Sequence, residues 1–316
     1  MALYHLHAQA ISRGSGASAV AAAAYRSGES LVDERTGETH DYSRRSGVEH
    51  AEIIASEQAP EWAHDRAQLW NQAEQAERRK DAQVAREVEF ALPAELSERE
   101  RRSLVREFVR EQFVSRGMVA DVSHHSGEKP GREPNPHAHV MLTMRRLDGE
   151  SFAATKEREW NDKGLLKQWR SDWARETNRA LERGGYDGRV DDRTLKAQRQ
   201  DALARGDSEA AAKLDREPQV HLGKAYHMEE RGVETEKGNR YAEIAERNER
   251  TAALPEQRQE ITDLQRQVKV LEKEQLRDDE QKVRDALTDL AGRHHSRTKA
   301  QQQDRVRNQA DDLMSR

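Results

Sequence analysis

The run Asn135-Pro-His-Ala-His-Val-Met-Leu-Thr-Met144 leaves this chain few structures to adopt. Val140 to Met144 reads as a buried strand, and the Asn-Pro ahead of the histidines marks the turn that feeds it. Residues i and i+2 of a strand share a face. His137 and His139 therefore project side by side from a sheet, close enough to hold one metal ion. A further imidazole stands upstream in Val122-Ser-His124-His125, and the segment between is polar and rich in Gly and Pro, suited to a hairpin loop. Residues 118–125 and 136–145 are thus expected to pair as antiparallel strands that bring three histidines together. His5-Leu-His7 repeats the spacing near the N-terminus. It lines the same site only if its strand is a neighbour.

Composition narrows the function classes. Of 316 residues, 36% are charged and 34% hydrophobic, so the core is smaller than the length suggests, and the most convincing apolar strands fall in residues 1–150. The absence of cysteine excludes a disulfide framework and a zinc-thiolate site. No stretch approaches the roughly 20 apolar residues of a membrane span, and the N-terminus lacks the basic start and apolar core of a signal peptide. A cytoplasmic protein without membrane insertion is expected. The net charge of −5 is not the globally basic balance of a non-specific nucleic-acid binder. Any DNA contact falls to local clusters such as Arg44-Arg45, Arg145-Arg146 or residues 167–175, each of which also reads as a solvated face.

The remaining pattern is a few strands separated by helices without βαβ repetition, which predicts an α+β fold with an antiparallel sheet flanked by helices. Leu3 to Ile11 alternates as a first strand. Residues 17–26, rich in alanine, form a buried helix stopped near Gly28. Residues 29–48 read as loop, 50–56 as a short strand, 62–82 as a charged helix and 86–92 as a strand ended by Pro93. Helices follow over 97–116 and 160–184. Beyond about residue 240 the apolar residues thin out, and Ile261, Leu264, Val268 and Leu271 make a short coiled-coil-like seam.

Three neutral imidazoles without an acidic cluster suit a metal that polarises a phosphate oxygen. Tyr25, at the end of the alanine helix beside Arg26, is the candidate attacking group, with Tyr4 and Tyr42 as rivals. An unperturbed tyrosine has a pKa of about 10, so attack near neutral pH needs a base or a cation nearby. Glu87 and Glu89 share one face of strand 86–92, opposite Val88 and Phe90. They are the solvent side of an amphipathic strand, or one of them takes the tyrosine proton or holds a metal-bound histidine.

These residues, in this order, resemble the MobA/MobL family of plasmid mobilisation relaxases, within the His-hydrophobe-His endonucleases. Met1-Ala-Leu-Tyr-His-Leu6, Ile11-Ser-Arg13 and Ser18-Ala-Val-Ala-Ala-Ala-Ala-Tyr-Arg26 look like its N-terminal block. Residues 86–96 look like its acidic strand, and 120–125 with 135–142 like its metal motif. Residues 173–181, 190–195 and 221–223 are similar to its closing blocks, except that Asp192 stands where the family often has His. The resemblance implies a relaxase-like fold over 1–240 and leaves 241–316 as a helical tail. It implies Tyr25 as nucleophile, with Glu87 or Glu89 assisting, and His125, His137 and His139 as ligands of Mn²⁺ or Mg²⁺. The imidazoles alone equally suit Zn²⁺, Ni²⁺ or Co²⁺. The doubled His124-His125 leaves the first ligand ambiguous, and His125 is preferred for its place at the strand end.

The activity so implied is nicking and rejoining of one DNA strand at a plasmid transfer origin through a 5′-phosphotyrosyl link. Arg13, Arg26, Arg145 and Arg146 would contact the single-stranded origin DNA. Relaxosome accessory proteins, a type IV secretion coupling protein and self-association through the tail are the expected partners, with transfer to a recipient cell beside the bound strand. The alternatives are a replication initiator or transposase of the same superfamily, and a non-catalytic DNA-binding accessory protein whose metal site is structural.

Overall fold

The computed structural model describes residues 4–128, 134–220 and 232–251, with residues 222 and 228. Leu3, residues 129–133 of the segment read as a hairpin loop, His221 and Gly223 of the last block, and the predicted seam from Ile261 to Leu271 lie outside the described residues. The chain divides into two compact units, Met1–Arg193 and Thr194–Arg316.

In the first unit, five strands form one antiparallel sheet: β1 (Leu6–Ser12), β4 (Val48–Ile54), β5 (Gln83–Ala91), β6 (Ala120–His125) and β7 (His137–Leu142), in the order β1-β5-β7-β6-β4. Helices α1 (Ala19–Ser27) and α2 (Arg66–Gln75) lie against one face, and α3 (Glu98–Gln112) and α4 (Lys163–Arg183) against the other. Two small hairpins, β2 (Ser30–Asp33) with β3 (Glu38–Asp41) and β8 (Leu147–Asp148) with β9 (Ser151–Phe152), complete it. This is the antiparallel α+β class the sequence predicts. The second unit contains α5 (Leu195–Ala204), α6 (Ser208–Lys213) and a helical stretch over 236–251.

The two-residue period of the strands divides the core. Val88, Phe90, Val122, Ala138, Val140 and Leu142 point toward α3 and α4, where Phe90 stacks on Trp173 at 4.6 Å and meets Phe108 edge-on at 5.4 Å. Ile11, Ala85, Val119 and Met141 point the other way, onto Val20, Ala23 and Ala24 of α1 and Leu69 and Trp70 of α2. Helix α1 starts where the Ser18 hydroxyl accepts the Ala21 N–H and stops at Gly28, whose φ of 71° suits glycine. Helix α3 carries a capping box between Ser97 and Glu100.

Two segments differ from the expectation. Residues 29–48 hold the β2–β3 hairpin where loop is predicted. Only Leu31 on β2 is apolar and buried, too thin an alternation to signal a strand; the turn is set by Asp33, which accepts the Arg35 and Thr36 N–H groups, and by Gly37 at φ 73°. The helix predicted over 62–82 closes at Gln75. Past its end, Arg13 donates to the carbonyls of Glu77 (2.8 Å) and Arg79 (3.1 Å), a partnership across the fold that replaces further helical turns.

Trp173 is 1% exposed and touches both Phe90 and Phe108. Trp173→Ala should cost about 3–5 kcal/mol of stability in urea unfolding, whereas a loss under about 1 kcal/mol would show that α4 does not anchor the sheet.

Candidate active site

Strand pairing assembles the histidines. His137 lies directly opposite His125 in the β6–β7 register, and His139 follows two residues on. Their ring centroids are 5.0–5.2 Å apart, and one nitrogen from each ring lies within 4.8 Å of the others, all three side chains facing α1. His124, one residue from His125, turns to the opposite face, as the period requires. It is 1% exposed, its ring is 6.0 Å from that of His50, and burial pushes its pKa down to about 4.

The neighbours of each ring set its tautomer. An imidazole nitrogen facing a carbonyl or carboxylate oxygen carries the proton, and its other nitrogen keeps the lone pair. His139 Nδ1 donates to Glu87 at 2.7 Å and His137 Nδ1 to the Asn135 carbonyl at 2.8 Å, which leaves both Nε2 atoms as donors to a metal. His125 is reversed: Nε2 donates to the Arg26 carbonyl at 2.9 Å, and Nδ1, carrying the lone pair, is 3.5 Å from Arg45. Burial, with the charges of the other two histidines and Arg45, pushes the His125 pKa down to about 3, and burial lowers that of His137. Neutral rings with free lone pairs are what a divalent ion requires, so the donor set fits a metal.

Glu87 is 1% exposed and ionised. Burial opposes its charge, but hydrogen bonds from His139 and Arg26 and the Arg26 charge outweigh burial and hold its pKa well below the usual carboxylate range. Gln9 Nε2 fills the remaining position at 2.6 Å. Arg26 engages both carboxylate oxygens and comes from the last turn of α1. Glu89 is half-buried on the same face, in register with His139 on one side and His7 on the other. Since β1 neighbours β5, His5 and His7 do share this face, though outside the cluster of three.

Tyr25 occupies the same turn as Arg26 and is 44% exposed. Its ring meets Tyr42 edge-on at 5.2 Å, and the Arg45 guanidinium lies over its face, 3.9 Å from the centroid. The last four carbonyls of a helix lack intrahelical partners. In α1 the site supplies two of them: Arg45 donates to the Tyr25 carbonyl and His125 to that of Arg26. Tyr4 is placed differently. Its hydroxyl donates to the Arg170 carbonyl at 3.0 Å, and burial, aided by Asp192, raises its pKa.

Of the four arginines expected at DNA, Arg26 belongs to this cluster. Arg13 is bound to the Glu74 carboxylate and to the carbonyls of Glu74, Glu77 and Arg79, Arg145 to Glu77 and the Ala153 carbonyl, and Arg146, on the surface, to Glu157. Arg45 and Gln9 carry no expectation of a place here. Arg45 is visible in the sequence only as half of a charge pair, and Gln9 only through its strand register opposite Glu87.

Residues 17–232 match the family model described as the MobA/MobL family. The conjugal transfer protein TraA of Rhizobium radiobacter is 36% identical over 271 residues, 75% of this chain but 23% of the relative, so this chain spans about a quarter of that protein's length. Mobilization protein MobL of Acidithiobacillus ferridurans is 33% identical, covering 80% of this chain and 70% of the relative. A solved structure described as the molecular basis of vancomycin resistance transfer in Staphylococcus aureus is 33% identical, with a TM-score of 0.56, and matches 61% of this chain and 99% of the other.

Glu87→Gln removes the charge and one of the two acceptor oxygens that hold His139 and Arg26, and should weaken Mn²⁺ binding about 10- to 100-fold in calorimetric titration. Unchanged affinity would remove Glu87 from the site. The metal-free protein should also lose stability as pH falls from about 6.5 toward 4. Unfolded histidines take up protons there, while His125 cannot until its folded pKa of about 3. The contribution is complete above 6.5 and declines below it, so a urea midpoint constant from pH 7 to 4.5 would contradict the burial of these rings.

Proposed function

This chain belongs to the MobA/MobL family, and we propose that residues 1–240 are a relaxase that nicks and rejoins one strand of a plasmid transfer origin, with Tyr25 as nucleophile. The observation that carries the reading is the placement of Tyr25 and Arg26 on one helical turn whose carbonyls and side chains bind His125 and Glu87 of the histidine face. The relatives' names, conjugal transfer and mobilization proteins, point the same way.

In the proposed step, the Tyr25 phenolic oxygen forms a bond to the scissile phosphorus as the P–O3′ bond breaks. The phenol proton leaves to solvent, the 3′ oxygen is protonated, and a 5′-phosphotyrosyl link remains. One phosphodiester replaces another, so the reverse reaction rejoins the strand. His125, His137 and His139 would hold a divalent ion, Mn²⁺ or Mg²⁺ on the family's pattern, which as a Lewis acid stabilises charge on the phosphate oxygen. Glu87 holds His139 in its tautomer. Its own depressed pKa makes it a weak base, so the proton-accepting role suits Glu89 or water better.

A replication initiator or transposase would share this chemistry and differ in the DNA it cuts. Accessory and coupling proteins of the transfer machinery and the recipient cell enter as partners on the same reading, and residues 241–316 are proposed to serve them or self-association. Among the described residues no helix is long and apolar enough to cross a membrane.

Tyr25→Phe should keep the fold and oligonucleotide binding but abolish the covalent protein–DNA band formed with single-stranded origin oligonucleotides and Mn²⁺. Adduct at the parental rate would pass the role to another tyrosine, Tyr42 first. His139→Ala should abolish adduct together with metal affinity, and an active His139→Ala protein would sink the metal-dependent reading.

A further inference from the structure

Arg45 lies in the loop between β3 and β4 and is held at three points. Its guanidinium sits 3.9 Å from the Tyr25 ring centroid, donates to the Tyr25 carbonyl, and has Nη2 3.5 Å from His125 Nδ1. Arg44 beside it is exposed, whereas Arg45 is half-buried. A cation within about 6 Å of an aromatic centroid is attracted by the negative ring face, and the planar fork lets one side chain serve ring and carbonyl together. The positive side chain also faces the one nitrogen of the three histidines that turns its lone pair toward an arginine, so it opposes a metal charge there. No element other than this loop joins the tyrosine ring to the histidine face in this way among the described residues.

We propose that Arg45 is a positioning residue for strand transfer: it clamps the Tyr25 ring over the histidine face and fixes the attack geometry, at some cost in metal affinity through His125. The proposal rests on Tyr25 as the nucleophile. A DNA-clamping arginine would act through oligonucleotide affinity, and a structural one through stability. A positioning residue acts on the rate at saturation.

The test compares the parent protein with Arg45→Met, Arg45→Lys and Arg44→Met in single-turnover adduct formation at saturating oligonucleotide and Mn²⁺, alongside Kd values for both. Fluorine NMR of 3-fluorotyrosine-labelled protein without DNA reads the clamp directly, with the Tyr25 line assigned by its loss in Tyr25→Phe. Arg45→Met is expected to slow adduct formation about 10- to 100-fold, the scale of a misplaced reacting group, with oligonucleotide Kd within about twofold, Mn²⁺ binding unchanged or tighter, and the Tyr25 line shifted. Arg45→Lys keeps the charge but not the fork and should recover part of the rate. A rate within about threefold of the parent, a loss that follows weakened metal or DNA binding, or an equal loss in Arg44→Met each overturns the proposal. Should Arg45→Met fail to fold by circular dichroism, Arg45→Lys decides by the same criteria, a parental rate counting against. If Tyr25→Phe still forms adduct, the nucleophile reading fails by itself, and the Tyr25 line in Arg45→Met then shows whether the clamp exists without it.

Discussion

The β6–β7 register is the constraint on which the site depends. A slip of one residue would turn His137 and His139 toward α3 and α4 and bring Ala138 and Val140 to the site, because neighbouring residues of a strand face opposite sides. The slip is opposed on both faces. Val140 and Leu142 are fully buried against the aromatic cluster of Phe90, Phe108 and Trp173, and Met141 is buried against α1 and α2. Exchanging the faces would bury two imidazoles in the aromatic core, where each would need a hydrogen-bond partner. The hydrophobic core thus holds the register of the histidine face, and the histidines need contribute nothing to it.

The second requirement is electrical. Glu87 is an ionised carboxylate with almost no contact with water, a state tolerated only when its oxygens are filled. Arg26, His139 and Gln9 fill them from α1, β7 and β1. One buried charge therefore draws together three elements distant in sequence, and the helix that carries Tyr25 is fixed to the sheet by the same group that orients a histidine. The negative end of α1 points at this cluster, where Arg26 and Arg45 offset it.

Much of this was legible. The His-x-His period, the apolar run behind it and the Gly/Pro-rich link to His124-His125 are local signals, and they gave the hairpin and the clustered imidazoles. The stop at Gly28 placed Tyr25 at a helix end. What stayed hidden depends on contacts across the fold. Whether Glu87 or Glu89 meets a histidine is decided by strand register and by Arg26 descending from above, neither of which alternation encodes. Arg45 was one charge among many, since nothing in residues 42–48 announces a loop that folds back over α1. The β2–β3 hairpin and the early end of α2 escape the sequence pattern for the same reason: Asp33 and Arg13 organise them through backbone groups, and polar residues that bond backbone look in sequence like those that face water.

The alanines of α1 carry a further implication for how such a chain can change. Ala19, Ala23 and Ala24 are at most 1% exposed, so along most of its buried stripe, Val20 apart, methyl groups set how closely this helix approaches its neighbours. Their smallness acts as a spacer. Each added carbon would have to be absorbed by lifting the helix, and whatever rides on its last turn would rise with it. A stripe that bears no chemical group at all is therefore as sensitive to added bulk as the site is to lost function. Inert side chains, by their lack of bulk, set the working distance for the reactive ones.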